Sequence, residues 1–399
     1  MRIIMASRES DWRREAENSI LLKSVSHWRE KPERWFRGSY NRLPETVRVN
    51  PMSEEKDWVE SWLSGIGANR IPWFSGPGSA WEMPFERGSA EEEVKSLMAA
   101  LHETGRITRQ EAVSMLPVLA LDPTPGQIIL DLCASPGSKT TQICEHLGDS
   151  GAVIANEVIS GRVNTLVTNV QRHASRAVLV VQHDGRHMPR VPGSGFDGVL
   201  VDVPCTGSGT TRKNPDVWGK WRPSSGRSLH SLQYDLLSRA IELTKPGGRV
   251  VYSTCSLDPI ENEAVVARVV AGGKVRVVPC GDSLSGVPSK PGMANWPLLN
   301  DRGELDTESE SEEYLLPTKD KTVSSQLNDC LRVWNDEIGG GGFFLAVLER
   351  IMEEDVSGSI DPFPSQKTFD DPESFPQPID EKRKRELREV WGSVPTNMW

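Results

Sequence analysis

Gln127-Ile128-Ile129-Leu130-Asp131 runs through Leu132-Cys133-Ala134-Ser135-Pro136-Gly137 into Ser138-Lys139-Thr140-Thr141. An apolar run stops on an acid, a turn of small residues follows, and a polar segment starts a helix. Small residues let the backbone approach a ligand, and a helix start offers free N–H groups to its polar parts. The same grammar recurs downstream. Apolar runs at Ala152–Glu157, Ala177–Val181, Phe196–Val201, Arg249–Ser253 and Phe343–Leu348 alternate with helix-like segments. Short apolar runs of this kind predict parallel strands covered on both faces. The expected fold class is α/β: a doubly wound, mostly parallel sheet.

Ligands of such sheets bind at the carboxyl ends of the strands. Glu157, Asp184 and Asp202 stand at successive strand ends, and an acid after the second strand can hold ribose hydroxyls. The layout is that of a nucleoside cofactor. It suits S-adenosylmethionine better than NAD, because the first turn lacks Gly-x-Gly-x-x-Gly, and Lys139 does not complete a Walker A loop. Any one of these acids is more simply a helix cap, but three in register carry weight together.

Working outward, Asp202-Val203-Pro204-Cys205-Thr206-Gly207-Ser208-Gly209-Thr210 follows the fourth run and Tyr252-Ser253-Thr254-Cys255-Ser256 the fifth. A free cysteine is usually a small buried hydrophobe. Two of them at adjacent strand tips, inside polar small-residue loops, reverse that reading. A thiolate beside a methyl donor suits methylation of a pyrimidine at C5: sulfur adds at C6, a partner serves N3, and a base removes the C5 proton. Cys255, Asp202 and Cys205 are candidates for those posts.

The stretches Asp131–Thr141, Asp202–Thr210 and Ser253–Glu261 resemble the motifs of the Nop/Sun family of RNA cytosine-5 methyltransferases, particularly its tRNA branch. The resemblance extends over most of Leu43–Leu348, with support from Ile107–Met115, Arg212–Trp218 and Gly341-Gly342-Phe343-Phe344. It implies a Rossmann-like methyltransferase domain, S-adenosylmethionine as cofactor and an RNA substrate, tRNA first and ribosomal RNA as the alternative. A non-catalytic RNA-binding factor of the same fold is a further alternative. The resemblance also implies Cys255 as nucleophile and Cys205 as the residue assisting release. DNA cytosine methyltransferases instead use the Pro-Cys cysteine; Thr254-Cys255 decides for the RNA type. Cofactor positions implied by the family are Cys133, Ala134, Ser135, Pro136, Gly137, Ser138 and Lys139, with Glu157 on the ribose, Asp184 near the adenine, and Asp202. Lys139 and Asp202 also organise the catalytic pocket. Ser135 stands where the family has a second Ala, and Ser208 where this branch often has Asp.

The 399 residues have room for two domains or one with extensions. The expected division is residues 1–105 as a small α+β RNA-engaging extension, 106–350 as the methyltransferase domain, and 351–399 as an acidic, proline-rich linker with a short charged helix over Asp380–Trp391. Glu15–Arg37 predicts one or two amphipathic helices, and Leu43–Pro51 a short strand. No run approaches a membrane span, Met1–Met5 is too short for a signal-peptide core, and six cysteines without Cys-x-x-Cys predict reduced thiols and no metal site. These features predict a cytoplasmic protein, or a nuclear one in a eukaryote, with no membrane partner.

A net charge of −10 argues against nucleic-acid binding through bulk positive charge. The charge is unevenly spread, however: acids crowd into Glu304–Glu313 and beyond Glu353, while Arg13–Arg48 and Arg212–Arg249 are locally basic. Arg13, Arg14, Lys23, Arg29, Arg34 and Arg37 are candidates for an N-terminal RNA surface. Arg212 and Lys213, beside Trp218 and Trp221, are a second candidate, although tryptophans here are more simply packed into the fold. His183 reads as a hydrogen-bonded structural residue.

Overall fold

Unbroken apolar runs in the long strands send successive side chains to opposite faces, and each face acquires its own core. Val250 and Tyr252 pack with Leu237, Ile241 and Val266. Val251, between them, packs on the other face with Leu116, Leu119 and Ile143. A computed structural model describes residues 12–148, 150–307, 312–352 and 380–391. They fall into two compact units, one within Met1–Asp355 and one within Val356–Trp399.

The first unit opens with helices α1 (Ile20–Trp28) and α2 (Pro32–Gly38), the former capped by Ser19, whose hydroxyl accepts from Leu22 N. Next come β1 (Pro44–Val49), α3 (Lys56–Gly65), β2 (Asn69–Arg70), β3 (Ser79–Glu86), α4 (Glu92–Glu103) and β4 (Ile107–Arg109). The four strands form an antiparallel sheet in the order β2-β3-β1-β4. Val47, Val49, Trp81 and Ile107 on its one face pack against Val59, Leu63, Met98 and Leu101 of α3 and α4.

After α5 (Leu116–Leu121) the doubly wound part runs β5 (Ile128–Asp131), α6 (Ser138–Leu147), β6 (Ala152–Asn156), α7 (Ser160–His173), β7 (Val178–Val181), β8 (Phe196–Asp202), α8 (Val217–Lys220), α9 (Pro223–Leu243) and β9 (Thr244–Thr254). It finishes with α10 (Glu263–Val270), β10 (Val275–Val278), β11 (Lys290–Pro291), α11 (Lys321–Gln326), β12 (Leu331–Val333) and β13 (Phe343–Arg350). The sheet order is β11-β12-β13-β9-β8-β5-β6-β7, with β10 also paired to β13. Strands β5 to β9 are mutually parallel. The chain moves outward from β5 to β7 and then returns to the other flank of β5 as β8. That reversal opens a crevice at the β5 and β8 carboxyl ends, where Asp131 and Asp202 lie.

One expected parallel strand is corrected. Phe343–Leu348 forms β13, which runs antiparallel to β9, with Phe344 opposite Thr254 and Leu348 opposite Val250. A strand buried on both faces shows the same unbroken apolar run in either direction, so its orientation is not written in the pattern.

The second unit contributes helix α12 (Glu381–Trp391), matching the expected charged helix. The proline-rich linker expected before it, at 353–379, lies outside the described residues, as do Met1–Met5 and part of the acidic stretch Glu304–Glu313.

Candidate active site

The turn after β5 reaches α6 through Gly137, whose φ of 107° lies in the left-handed region. A Cβ there would stand 2.9 Å from Leu166 Cδ1, a side-chain tip that could shift, so it is the backbone conformation that favours glycine. At the end of β5, Asp131 is buried. Its Oδ2 accepts from Thr140 Oγ1 at 2.7 Å, while Oδ1 has no partner among the described residues. Burial pushes its carboxyl up to about 7. Burial likewise pushes the Cys133 thiol up, which suits a packing role for that side chain.

Glu157 and Asp184 follow β6 and β7, adjacent parallel strands. Glu157 is buried, accepts from Ile159 N at 2.9 Å and lies 3.2 Å from Arg162. Arg162 also donates to Ser135 O at 2.7 Å, tying the acid to the β5 turn. Asp184 caps a short turn of helix by accepting from Arg186 N, and the Arg186 guanidinium holds its carboxyl down at about 2. His183 contacts the Asp184 carbonyl through Nδ1, in keeping with a structural role.

Register brings the catalytic candidates together. Asp202 on β8 stands opposite Ser253 on β9, so Cys205 and Cys255 leave their strands at one level. Their sulfurs are 3.2 Å apart, and both cysteines are free. The hydrogen bond with Cys255, together with burial, holds the Cys205 thiol well above its ordinary range. Gly209 lies close against both neighbours: its N–H donates to Cys255 O and its carbonyl accepts from Gly342 N, each at 2.8 Å. A Cβ on Gly209 would fall 2.3 Å from Gly342 O.

Beside the thiols, Lys139 Nζ donates to Asp202 Oδ2 at 2.7 Å and to Ser114 Oγ at 2.8 Å, and Ser253 Oγ donates to Asp202 Oδ1 at 2.7 Å. Burial works against the Lys139 charge, but Asp202 outweighs it and holds the ammonium above its usual range. Lys139, Asp202 and Cys255 line a cavity of about 540 Å³ that is also lined by Thr46 and Arg109 of the four-stranded sheet and by Arg87, just after β3. Pro136, Gly137 and Ser138 line it too; Cys133, Cys205, Glu157 and Asp184 do not.

Several residues proposed for RNA contact are engaged in the fold instead. Arg212 donates to the carbonyls of Asn41, Arg42 and Gly340, pinning the N-terminal segment to the loop before β13. Arg29 pairs with Asp336 at 2.6 Å; Arg34 reaches the same carboxylate at 3.2 Å but its side chain stays exposed. Trp218 and Trp221 are buried among Trp28, Trp35 and Trp334, the plainer of the two readings of the sequence.

The network around Arg48 escaped sequence reading altogether. Arg48 on β1 is fully buried, pairs with Glu145 of α6 through two nitrogens, and donates to Gln110 Oε1 and to Ser138 O. His173 Nε2 lies 3.1 Å from the same carboxylate. Alternation along Thr46-Val47-Arg48-Val49 marks Arg48 as facing away from the small core, and the signal stops there. Ser114 and Glu261 fall within stretches that carry the family resemblance, Ile107–Met115 and Ser253–Glu261, but the sequence assigns neither a role, since each acts through neighbours distant in sequence.

Residues 118–288 match the family described as 16S rRNA methyltransferase RsmB/F. The chain belongs to this family. It is 36% identical to the multisite-specific tRNA:(cytosine-C(5))-methyltransferase of Saccharomyces cerevisiae over 71% of this chain and 45% of that protein. Against the tRNA (cytosine(34)-C(5))-methyltransferase of Drosophila melanogaster it is 39% identical over 70% of this chain and 42% of the relative. The chain thus spans about half the length of these curated relatives. Among solved structures, a methyltransferase homologue from Pyrococcus horikoshii is 27% identical, with a TM-score of 0.61 over 82% of this chain and 93% of that one. The fold is therefore the Rossmann-like fold of methyltransferases. Among the described residues no helix is long and apolar enough to cross a membrane, and no three His, Cys, Asp or Glu side chains are grouped to hold a metal.

Proposed function

We propose that this protein methylates C5 of a cytosine in RNA, with tRNA as the first substrate class and S-adenosylmethionine as donor. The observation that carries the reading is the 3.2 Å pair of thiols at Cys205 and Cys255, with Cys255 lining, beside Lys139 and Asp202, a cavity that Arg87, Arg109 and Lys213 also line. The curated relatives named above are tRNA cytosine-C5 methyltransferases, whereas the family description names 16S rRNA, so ribosomal RNA is the alternative substrate.

The residues present suit the cofactor. The start of α6 offers free N–H groups, the orphaned Asp131 Oδ1 is an unused acceptor, and Glu157 and Asp184 stand at the next two strand ends. Residues Cys133 to Lys139, Glu157, Asp184 and Asp202 would hold it. When bound, S-adenosylmethionine supplies an electrophilic methyl group.

On the protein's side, the Cys255 thiolate adds to C6 of the cytosine and drives electron density onto C5. The Lys139–Asp202 pair supplies a donor and an acceptor for the edge of the base at N3. Cys205 is kept protonated by its bond to Cys255. Once the Cys255 sulfur is tied up as a thioether, that bond is lost, the Cys205 thiol gives up its proton to solvent, and the resulting thiolate takes the C5 proton. The C6–S bond then breaks, and its electron pair returns to sulfur. The base must leave its stack to reach this depth, and the residues of 1–105 that line the cavity, Arg87 among them, give the RNA a second surface. On this reading the protein works where its RNA is, in the cytoplasm or a eukaryotic nucleus.

The test is transfer of a labelled methyl group to unmodified tRNA and ribosomal RNA transcripts, with bisulfite mapping of the product. Label at cytosine C5 of tRNA supports the reading, and label only in ribosomal RNA supports the alternative substrate. Binding of both RNAs with no transfer would reject it in favour of a non-catalytic RNA-binding factor.

A further inference from the structure

Besides the Gly209–Cys255 backbone bond and the contact of Ser208 Oγ with Ser256 Oγ at 3.0 Å, the two reactive loops share one buried carboxylate outside the cavity. Glu261, in the segment between β9 and α10, has no solvent exposure. One carboxylate oxygen accepts from Thr206 N at 2.9 Å and from Gln233 Nε2 at 3.0 Å. The other accepts from the hydroxyls of Thr206 and Ser256. Thr206 directly follows Cys205, and Ser256 directly follows Cys255. Gln233, on the buried face of α9, also donates to Pro204 O at 2.9 Å, so Cys205 is held on both sides. The Glu261 backbone is itself fixed, its carbonyl accepting from Tyr252 Oη at 2.6 Å.

We propose that Glu261 is a positioning residue that sets the separation of the two thiols, by holding the residue after each cysteine on one carboxylate. The Thr206 and Ser256 hydroxyls are 3.4 Å apart, too far for a strong direct bond, so an acceptor shared by both brings the loops into register. Burying a carboxylate costs free energy, and four donors to one group offset it. The role fits a reaction in which one thiol must act immediately after the other.

The test reads thiol separation directly. The reduced full-length chain is treated with diamide: two thiols lose two protons and two electrons, and the diamide N=N bond becomes a hydrazine. The sulfurs must close from 3.2 Å to about 2.05 Å for the disulfide to form. Peptide mass spectrometry distinguishes this pair from Cys133, Cys144, Cys280 and Cys330. Glu261→Ala is expected to slow Cys205–Cys255 capture about tenfold and to lower kcat for RNA methylation about 100-fold, with KM for RNA within about threefold. Glu261→Gln should restore most of both, because its oxygen keeps the Thr206 N–H and the two hydroxyls can turn to accept from its amide. Should Glu261→Ala not fold, Thr206→Val and Ser256→Ala each cut one side of the link and are expected to slow capture by a smaller factor. Wild-type capture in Glu261→Ala, or in both of the milder variants, would overturn the proposal. The kcat arm rests on the functional reading above, but capture needs no RNA. If the wild type methylates no RNA while loss of Glu261 still slows capture, the functional reading fails and the positioning role stands.

Discussion

Lys139 Nζ lies 2.7 Å from Asp202 Oδ2, and the pair joins the helix after β5 to the end of β8 across the crevice. The lysine is 12% exposed and the aspartate 28%, so each relies on the other for much of its solvation. Asp202→Asn keeps the shape and removes the counter-charge. Its expected effects are a fall in kcat of about 100-fold, from loss of the base-edge partner, and a stability loss of about 3 kcal/mol, from a poorly paired ammonium. Steady-state kinetics and urea unfolding measure the two separately. Unchanged kcat would remove Asp202 from the chemistry.

Arg48 and Glu145 form the most buried ion pair described, at 0% and 1% exposure. Burial alone would raise the Glu145 carboxyl, but Arg48 and His173 prevail and hold it below its ordinary value. A carboxyl depressed in the folded state contributes stability that is present above its unfolded pKa and lost as pH falls through the folded one. Arg48→Met should cost about 3–5 kcal/mol near neutrality. It should also reverse the acid-side trend, since the stranded carboxyl then favours protonation. Urea unfolding from pH 3 to about pH 7 tests both statements. Because Arg48 holds Ser138 O next to Lys139, kcat should fall as well.

Much of this site was legible in the sequence, for a physical reason. Asp131 to Thr141 announces itself because a ligand-binding turn needs small residues in a row, and Cys205 and Cys255 because strand ends in a parallel sheet converge. Arg48 was not legible. Strand alternation says which residues face away from one core, but it cannot say that a second body covers the other face. Arg212 was misread for the converse reason: a basic residue near tryptophans looks like an RNA contact until the carbonyls of Asn41, Arg42 and Gly340 are seen to claim it. The direction of β13 was hidden because burial on both faces erases the pattern that would reveal it.

Asp258 gives the opposite pH signature to Glu145. Burial, helped by the nearby Glu261 charge, raises its carboxyl to about 8. A raised carboxyl binds its proton more tightly in the folded state, so its contribution to stability declines as pH rises from the unfolded pKa near 3.8 to about 8. Asp258→Asn can keep the acceptor that Ile260 N uses. The variant should flatten this decline and be more stable than wild type at about pH 8, by unfolding titration. An unchanged slope would show that Asp258 is ionised in the fold.

Arg87 and Lys213 are exposed, line the cavity and make no ion pair with the described residues. Arg109, in the same cavity, is paired with Glu45. Replacing Arg87 or Lys213 by Ala should weaken RNA binding and reduce the slope of log K against log salt by about 1 each. Trp218→Ala, by contrast, should cost about 3–5 kcal/mol of stability with no change in that slope, because the ring is packed in the core. An altered salt slope in Trp218→Ala alone would place the RNA on the other side of the fold.

The 3.2 Å contact between Cys205 and Cys255 makes the central claim measurable as a covalent bond. RNA incubated with S-adenosylmethionine and each variant is resolved on a denaturing gel. Cys205→Ala should accumulate a protein–RNA species that survives denaturation and maps to Cys255. Cys255→Ala and the double variant should give none and transfer no methyl group. An adduct that persists in Cys255→Ala, or methylation that survives it, would contradict the assignment of Cys255 as the nucleophile.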